Sequence, residues 1–167
     1  MTKAMKVAVL SDIHDNIWNL KKVLKRVKKE KCEAILFCGD YCAPSVVKLI
    51  IELKLPTYAV FGNVDGAHYE ITKLAENLPY FHQFKGMAEI ELGGKKIALC
   101  HYPKLAQGLT TTGKYDAVFY GHTHKAEQKK IGRTLIANPG EIMGMKGKCT
   151  FGVYDTKTNE FKRIETK

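Results

Sequence analysis

The 167-residue sequence predicts an α/β protein with a mixed sheet arrangement, two sheets packed together. Two observations carry that prediction. In the first half, apolar runs at KVAVL (6–10), EAILF (33–37) and TYAVF (57–61) alternate with helix-patterned segments, an order that implies parallel strands covered by helices. In the second half, strand-like runs follow one another across short glycine turns, the pattern of antiparallel hairpins.

Taken in order, KVAVL is the first buried strand. NLKKVLKRVKKEK follows, a helix beginning near Asn16 in which Leu20, Val23, Leu24 and Val27 recur at i, i+3, i+4 and i+7 between lysines. EAILFCGD is the second strand, and PSVVKLIIELKL (44–55) the second helix, started by Pro44. TYAVFGNVD is a third strand ending in a turn. MAEIELGGKKIALCHY reads as two strands joined at Gly93-Gly94, and DAVFYGHTH as another strand. AEQKKIGRTLIANPG holds two strands about Gly132, and CTFGVYDTKTNEFKRIE is a terminal hairpin. No linker, repeat or low-complexity segment interrupts the chain, so residues 1–167 are read as a single domain.

Composition narrows the class. At 45% hydrophobic and 26% charged, the chain suits one domain with a real core, and no apolar stretch reaches the length of a bilayer span. The start, MTKAMKVAVLSD, runs straight into a strand without a signal-peptide pattern, so a cytoplasmic protein is expected. Cys32, Cys38, Cys42, Cys100 and Cys149 are odd in number and contain no C-x-x-C pair, which argues against a disulfide framework. The net charge of +10 suits a phosphate-bearing or polyanionic partner. Much of it lies on the basic helix, where no aromatic residue interleaves to stack on bases, so nucleic acid is only weakly supported as a partner. The apolar residues of IIELKL and of the terminal hairpin face either the core or a second copy, which leaves a homodimer open.

The functional signal is what ends each apolar run. The first stops at Asp12 and His14, the second at Asp40, the third at Asn63. KIALCH stops at His101, and AVFYGHTH at His122 and His124. The C-terminal ends of strands in open α/β sheets line the binding crevice, so these residues can converge. Asp12 with His14, and His122 with His124, are spaced i and i+2, which in an extended chain puts both side chains on one side. Gly39, Gly62 and Gly121 each precede a candidate ligand, where a missing side chain permits a sharp turn or close approach. Two Asp, one Asn and four His are too many ligands for one ion. They suit two divalent transition metals sharing a carboxylate, with mixed imidazole and carboxylate ligands fitting Mn, Fe, Ni, Co or Zn better than Ca or Mg.

In this order and spacing, Asp12-x-His14, Gly39-Asp40, Gly62-Asn63, His101 and Gly121-His122-x-His124 resemble the motifs of the calcineurin-like metallophosphoesterases. Asn-Pro-Gly-Glu at 138–141 is similar to the Asn-Pro-Gly-Ser stretch of that family's short single-domain branch, and the likeness runs from Lys6 to the terminal hairpin. The resemblance implies a four-layer α/β/β/α sandwich of two mixed sheets with flanking helices. It implies a binuclear metal centre, manganese foremost, with Asp12, His14, Asp40 and His124 on one ion and Asp40, Asn63, His101 and His122 on the other. Asp40 would bridge, and Asp40, Asn63 and His101 would carry catalysis. A metal-bridging hydroxide would then attack the phosphorus of a small phosphodiester.

The chain also departs from the pattern. Val64 stands where larger relatives carry a histidine that protonates the leaving group or stabilises the transition state, which points to good leaving groups or to protonation by metal-bound water. Asp65 matches the family's carboxylate one position on, and His68 is expected at the surface. Tyr102-Pro103-Lys104 follows His101 where relatives often have Gly-His. Glu141 replaces the usual serine; facing the cleft, it would disfavour a doubly charged monoester. Two alternatives accompany the diesterase reading. One is a monoesterase using the same site. The other is a protein-binding scaffold like the retromer subunit of this fold, whose metal site is degraded. The complete ligand set favours catalysis.

Overall fold

The computed structural model describes residues 3–166. Six strands form the first sheet, in the order β11-β10-β1-β2-β3-β4, and five form the second, in the order β5-β6-β7-β9-β8. In the first sheet, β1 (Lys6–Leu10), β2 (Ala34–Phe37), β3 (Thr57–Val60) and β4 (Phe81–Phe84) run parallel, while β10 (Thr150–Asp155) and β11 (Glu160–Glu165) form the antiparallel terminal hairpin. In the second, β6 (Lys95–Cys100), β7 (Ala117–Phe119) and β9 (Thr134–Asn138) are parallel, flanked by antiparallel β5 (Met87–Leu92) and β8 (Glu127–Ile131). Both sheets are mixed, as expected.

Three apolar layers make the sandwich. Side chains alternate along a strand, so β1 sends Ala8 and Leu10 to one face and Val7 and Val9 to the other, all fully buried. The outer face of the first sheet packs under α1 (Ile17–Lys29), α2 (Pro44–Ile51) and α3 (His68–Glu76), with Val23, Val27, Ile50 and Ile71 meeting Ile35 and Phe37. Its inner face meets the second sheet through Val9, Leu36 and Val60 against Ile97, Leu99 and Phe119. On the far side, Ala98, Val118 and Ile136 pack against Ala106 and Leu109 of α4 (Pro103–Thr111). Strands covered on both faces read as continuous apolar runs, which is why they were visible in the sequence.

The helices match expectation at the first and differ from it at the others. The Asn16 side chain accepts from the Asn19 N–H at 3.1 Å and caps α1, and Arg26, Lys28 and Lys29 face the negative end of its dipole, so this helix starts where predicted. The second helix stops at Ile51 rather than running to Leu55, because Leu55 precedes Pro56 and Lys54 turns left-handed at φ 54°. Its trailing Ile51, Leu53 and Leu55, and the hairpin's Phe151 and Ile164, pack into the core. In addition, α3 and α4, and the edge strand β4, have no counterpart in the sequence reading. Neither helix has a side-chain cap, and α3 buries only Ile71, so the periodic signal is weak. No described helix is long and apolar enough to cross a membrane.

Candidate metal centre

Five parallel strands, β1, β2, β3, β6 and β7, end on one side of the sandwich, and their following turns bring the candidate residues together. Asp12 and His14 follow β1, Asp40 follows β2 and Asn63 follows β3; His101 follows β6, and His122 and His124 follow β7. The mechanism of convergence differs from the extended i, i+2 geometry expected for the paired residues. Five of the seven turn left-handed: Asp12 (φ 53°), His14 (46°), Asp40 (64°), His122 (70°) and His124 (61°). Such conformations cost about 1–3 kcal/mol each outside glycine and persist only where the surroundings impose them. Glycines create the room. A Cβ on Gly62 would lie 2.0 Å from Asp40 Oδ1, and one on Gly121 1.9 Å from Ser11 Oγ.

Asp12 lies at the centre of one group. Its Oδ2 accepts from the Ser11 hydroxyl at 2.6 Å and from the His122 N–H at 3.1 Å. Its Oδ1 faces His124 Nε2 at 3.4 Å and His14 Nε2 at 3.8 Å. Asp40 is the hinge to the second group: Oδ1 accepts from the Val64 N–H at 3.1 Å, and Oδ2 lies 3.6 Å from His14 Nε2 and 3.2 Å from His101 Nε2. The Asn63 Oδ1 completes that side, 2.9 Å from His101 Nε2 and 2.8 Å from His122 Nδ1. The structure thus brings all seven candidate side chains into one continuous cluster, with Asn63 on its exposed side and Asp12 and His101 fully buried.

The donors suit cations. Asp12 Oδ1 and His14 Nε2 are buried and have no hydrogen-bond partner, a costly state for a carboxylate oxygen unless a positive charge meets it. Asp12, His14 and His124, and separately Asp12, Asp40 and His101, present ligand atoms within 4.8 Å of one another. Two imidazoles are held with Nε2 turned inward: His101 Nδ1 bonds the Cys38 carbonyl at 2.8 Å, and His124 Nδ1 bonds Glu141 Oε2 at 2.6 Å. These outer partners are oxygens, so Nδ1 donates and the Nε2 lone pair is free to bind a metal. The field has the same sign. The adjacent Asp12 carboxylate raises the His14 pKa against the cost of burial, with Asp40 adding to it. Burial pulls His101 down, but Asp40 outweighs it and the net shift is up. Burial pushes Asp40 up, yet His101 and the Val64 N–H bring its pKa below the usual value. The site holds negative charge and attracts positive charge.

Residues 5–159 match the calcineurin-like phosphoesterase superfamily domain. The chain belongs to that superfamily. Over 163 residues, this phosphoesterase is 28% identical to the phosphodiesterase MJ0936 of Methanocaldococcus jannaschii, covering 96% of this chain and 98% of the relative. A solved archaeal phosphodiesterase superposes with a TM-score of 0.90 at 28% identity, covering 97% of this chain and all of the other. The Escherichia coli phosphoesterase Yfce (TM-score 0.68, 20% identity, 98% and 100% coverage) shares the fold. So does zinc-complexed Vps29 of Entamoeba histolytica (TM-score 0.63, 18% identity, 97% and 98% coverage).

Two carboxylates shape this phosphoesterase's site in ways its sequence only partly signalled. Asp65 accepts from the backbone N–H groups of Asp40 (2.9 Å), Gly62 (2.7 Å) and Cys42 (2.7 Å), tying the turns after β2 and β3 together. Glu141, after β9, does not face the cleft as considered from the sequence. It is fully buried behind His124, its Oε1 fixed by the N–H groups of Lys146 (2.7 Å) and Gly147 (2.5 Å). The charge argument against monoesters therefore falls, and Glu141 becomes the residue that orients His124. The clue was its place just past a strand end, the same rule that found the others. Val64 is 41% exposed with nothing to donate but its backbone N–H, and His68 is exposed, its ring stacked on Phe61 at 3.9 Å.

Proposed function

We propose that this chain is a metal-dependent phosphodiesterase of a single domain. The observation that carries the reading is the clustering of Asp12, His14, Asp40, His101 and His124, with Asn63 and His122 against His101 and with Asp12 Oδ1 and His14 Nε2 unpartnered. Asp12, His14, Asp40 and His124 would hold one divalent cation, and Asp40, Asn63, His101 and His122 the other, with manganese the first candidate and Ni, Fe, Co or Zn also suited to the donors. Bound there, two such cations supply a low-pKa water and positive charge against the phosphate oxygens.

The chain's own residues do the rest. Asp40 Oδ2 lies 3.6 Å from His14 Nε2 and 3.2 Å from His101 Nε2, which supports a bridging role. Asn63 and His122, on the exposed side, stand where a phosphate arriving from solvent first meets protein. The hydrogen bond from His101 Nδ1 to the Cys38 carbonyl would hold the imidazole in one orientation. No side chain at position 64 can give a proton to the departing oxygen, so esters with acidic leaving groups should react fastest. The relatives named as phosphodiesterases support a diester substrate, with monoesters as the runner-up at the same site. The scaffold reading draws on likeness to Vps29, which at 18% identity speaks for the fold alone. All five cysteines are free thiols, the state a reducing cytoplasm maintains.

The test is hydrolysis of bis(p-nitrophenyl) phosphate and p-nitrophenyl phosphate with Mn²⁺ and with chelator. Metal-dependent turnover favouring the diester is expected. Faster monoester turnover would select the runner-up, and no turnover of either with any divalent metal would favour the scaffold.

A further inference from the structure

The groove beside the metal centre has a chemistry that binding phosphate does not require. It encloses about 530 Å³ and opens where the candidate ligands end, since Gly62 and Tyr102, which line it, adjoin Asn63 and His101 in the chain. The Tyr102 ring lies 5.2 Å from that of His101 and 5.1 Å from that of His122. Opposite stand His68 and Tyr69 of α3. His68 is stacked on Phe61 with the rings 20° from parallel. The surface is mostly apolar, and two of its rings are open to solvent, Tyr69 at 71% and Tyr102 at 45% exposure. No carboxylate lines the groove, and Lys85 brings a positive charge to it.

Exposed rings clustered beside a phosphate-handling centre, with a cation and no acid among them, fit a flat apolar group attached to an anion. We propose that the groove is a subsite for a planar aromatic arm, aryl or nucleobase, of a phosphodiester whose phosphate lies at the metal centre. This rests on the phosphodiesterase reading and adds the class of substrate. An aliphatic arm would gain only burial there, whereas a flat ring also gains stacking on Tyr69, Tyr102 or the His68 face. Lys85, which lines the groove, would complement the charge of an anionic substrate.

The test is calorimetric binding to the Mn²⁺-loaded protein of phosphonates, whose P–C bond the reaction does not cleave. Phenylphosphonate should bind about tenfold or more tightly than methylphosphonate, as stacking of one ring predicts. Tyr69→Ala should bring that ratio towards one, and Tyr69→Phe, which keeps the ring, should restore it. A second pair, the phosphonate analogues of thymidine 5′-monophosphate and 2-deoxyribose 5-phosphate with CH₂ in place of the bridging oxygen, separates the sources: a preference there assigns a nucleobase, and a preference confined to phenylphosphonate assigns a compact aryl group. Equal affinities within both pairs would overturn the subsite, as would a preference that survives both Tyr69→Ala and His68→Ala. No binding of phenylphosphonate or methylphosphonate together with no metal-dependent turnover of bis(p-nitrophenyl) phosphate would instead overturn the phosphodiesterase reading beneath it.

Discussion

Removing the Asp65 carboxylate should loosen the two turns that deliver Asp40 and Asn63. Asp65 is 6% exposed and accepts three backbone N–H groups, from Asp40, Cys42 and Gly62, all at 2.7–2.9 Å. Each such bond to a charged acceptor contributes about 1.5–3 kcal/mol, and an N–H left buried without a partner costs about 1–3 kcal/mol. Water can reach part of this turn once the side chain is gone, so the three losses do not add in full. Asp65→Ala should therefore destabilise by about 3–5 kcal/mol. Asp65→Asn should cost roughly half, because its one carbonyl oxygen can keep the Asp40 and Gly62 bonds while its NH₂ opposes the Cys42 N–H. In a chain of this length that lowers the melting temperature by roughly 6–20 °C for the alanine variant. The assay is urea and thermal unfolding in chelator, since bound metal adds its own stabilisation. An alanine variant within about 0.5 kcal/mol of wild type, a surface-like effect, would refute the reasoning.

Other outcomes follow from the same geometry. Glu141→Ala should weaken Mn²⁺ binding about 10–100-fold by freeing the His124 ring, and Glu141→Gln, which can still accept from Nδ1–H, should do less; calorimetric metal titration reads both. His124→Ala should depress diester turnover steeply and leave the circular dichroism spectrum unchanged. Gly121→Ala places a methyl 1.9 Å from Ser11 Oγ and 2.6 Å from Asp12 Oδ2, so metal binding should fall even where the protein folds. Burial pushes the Cys32, Cys100 and Tyr115 pKa values up to about 12, so these groups stay protonated when folded and ionise earlier when unfolded. Stability should hold below about pH 8.5, the reference thiol value, and fall as pH rises towards 12; a flat profile of unfolding free energy over that range would contradict the burial argument.

Much of this was legible in the sequence because the fold puts its chemistry at one repeated place. A buried parallel strand is a continuous apolar run, and the residue that ends it lies at the crevice. That rule located Asp12, Asp40, Asn63, His101, His122 and their neighbours without any contact information. The pairings, however, could not be read. Left-handed turns at Asp12, His14, His122 and His124 replace the extended geometry that spacing suggested, because long-range contacts such as the His122 N–H to Asp12 bond fix them. Glu141 reads as a cleft acid until its partners appear: the N–H groups of Lys146 and Gly147 on one oxygen, His124 on the other. The helices α3 and α4 were hidden by weak periodicity and uncapped starts, and with α3 went one wall of the aromatic groove.

The most direct test of the account is anomalous scattering from crystals grown with Mn²⁺. Two peaks about 3.5–4 Å apart are predicted, one contacted by Asp12, His14 and His124, the other by Asn63, His101 and His122, with Asp40 reaching both. A single peak, or ions bound away from Asp40 at millimolar Mn²⁺, would contradict it.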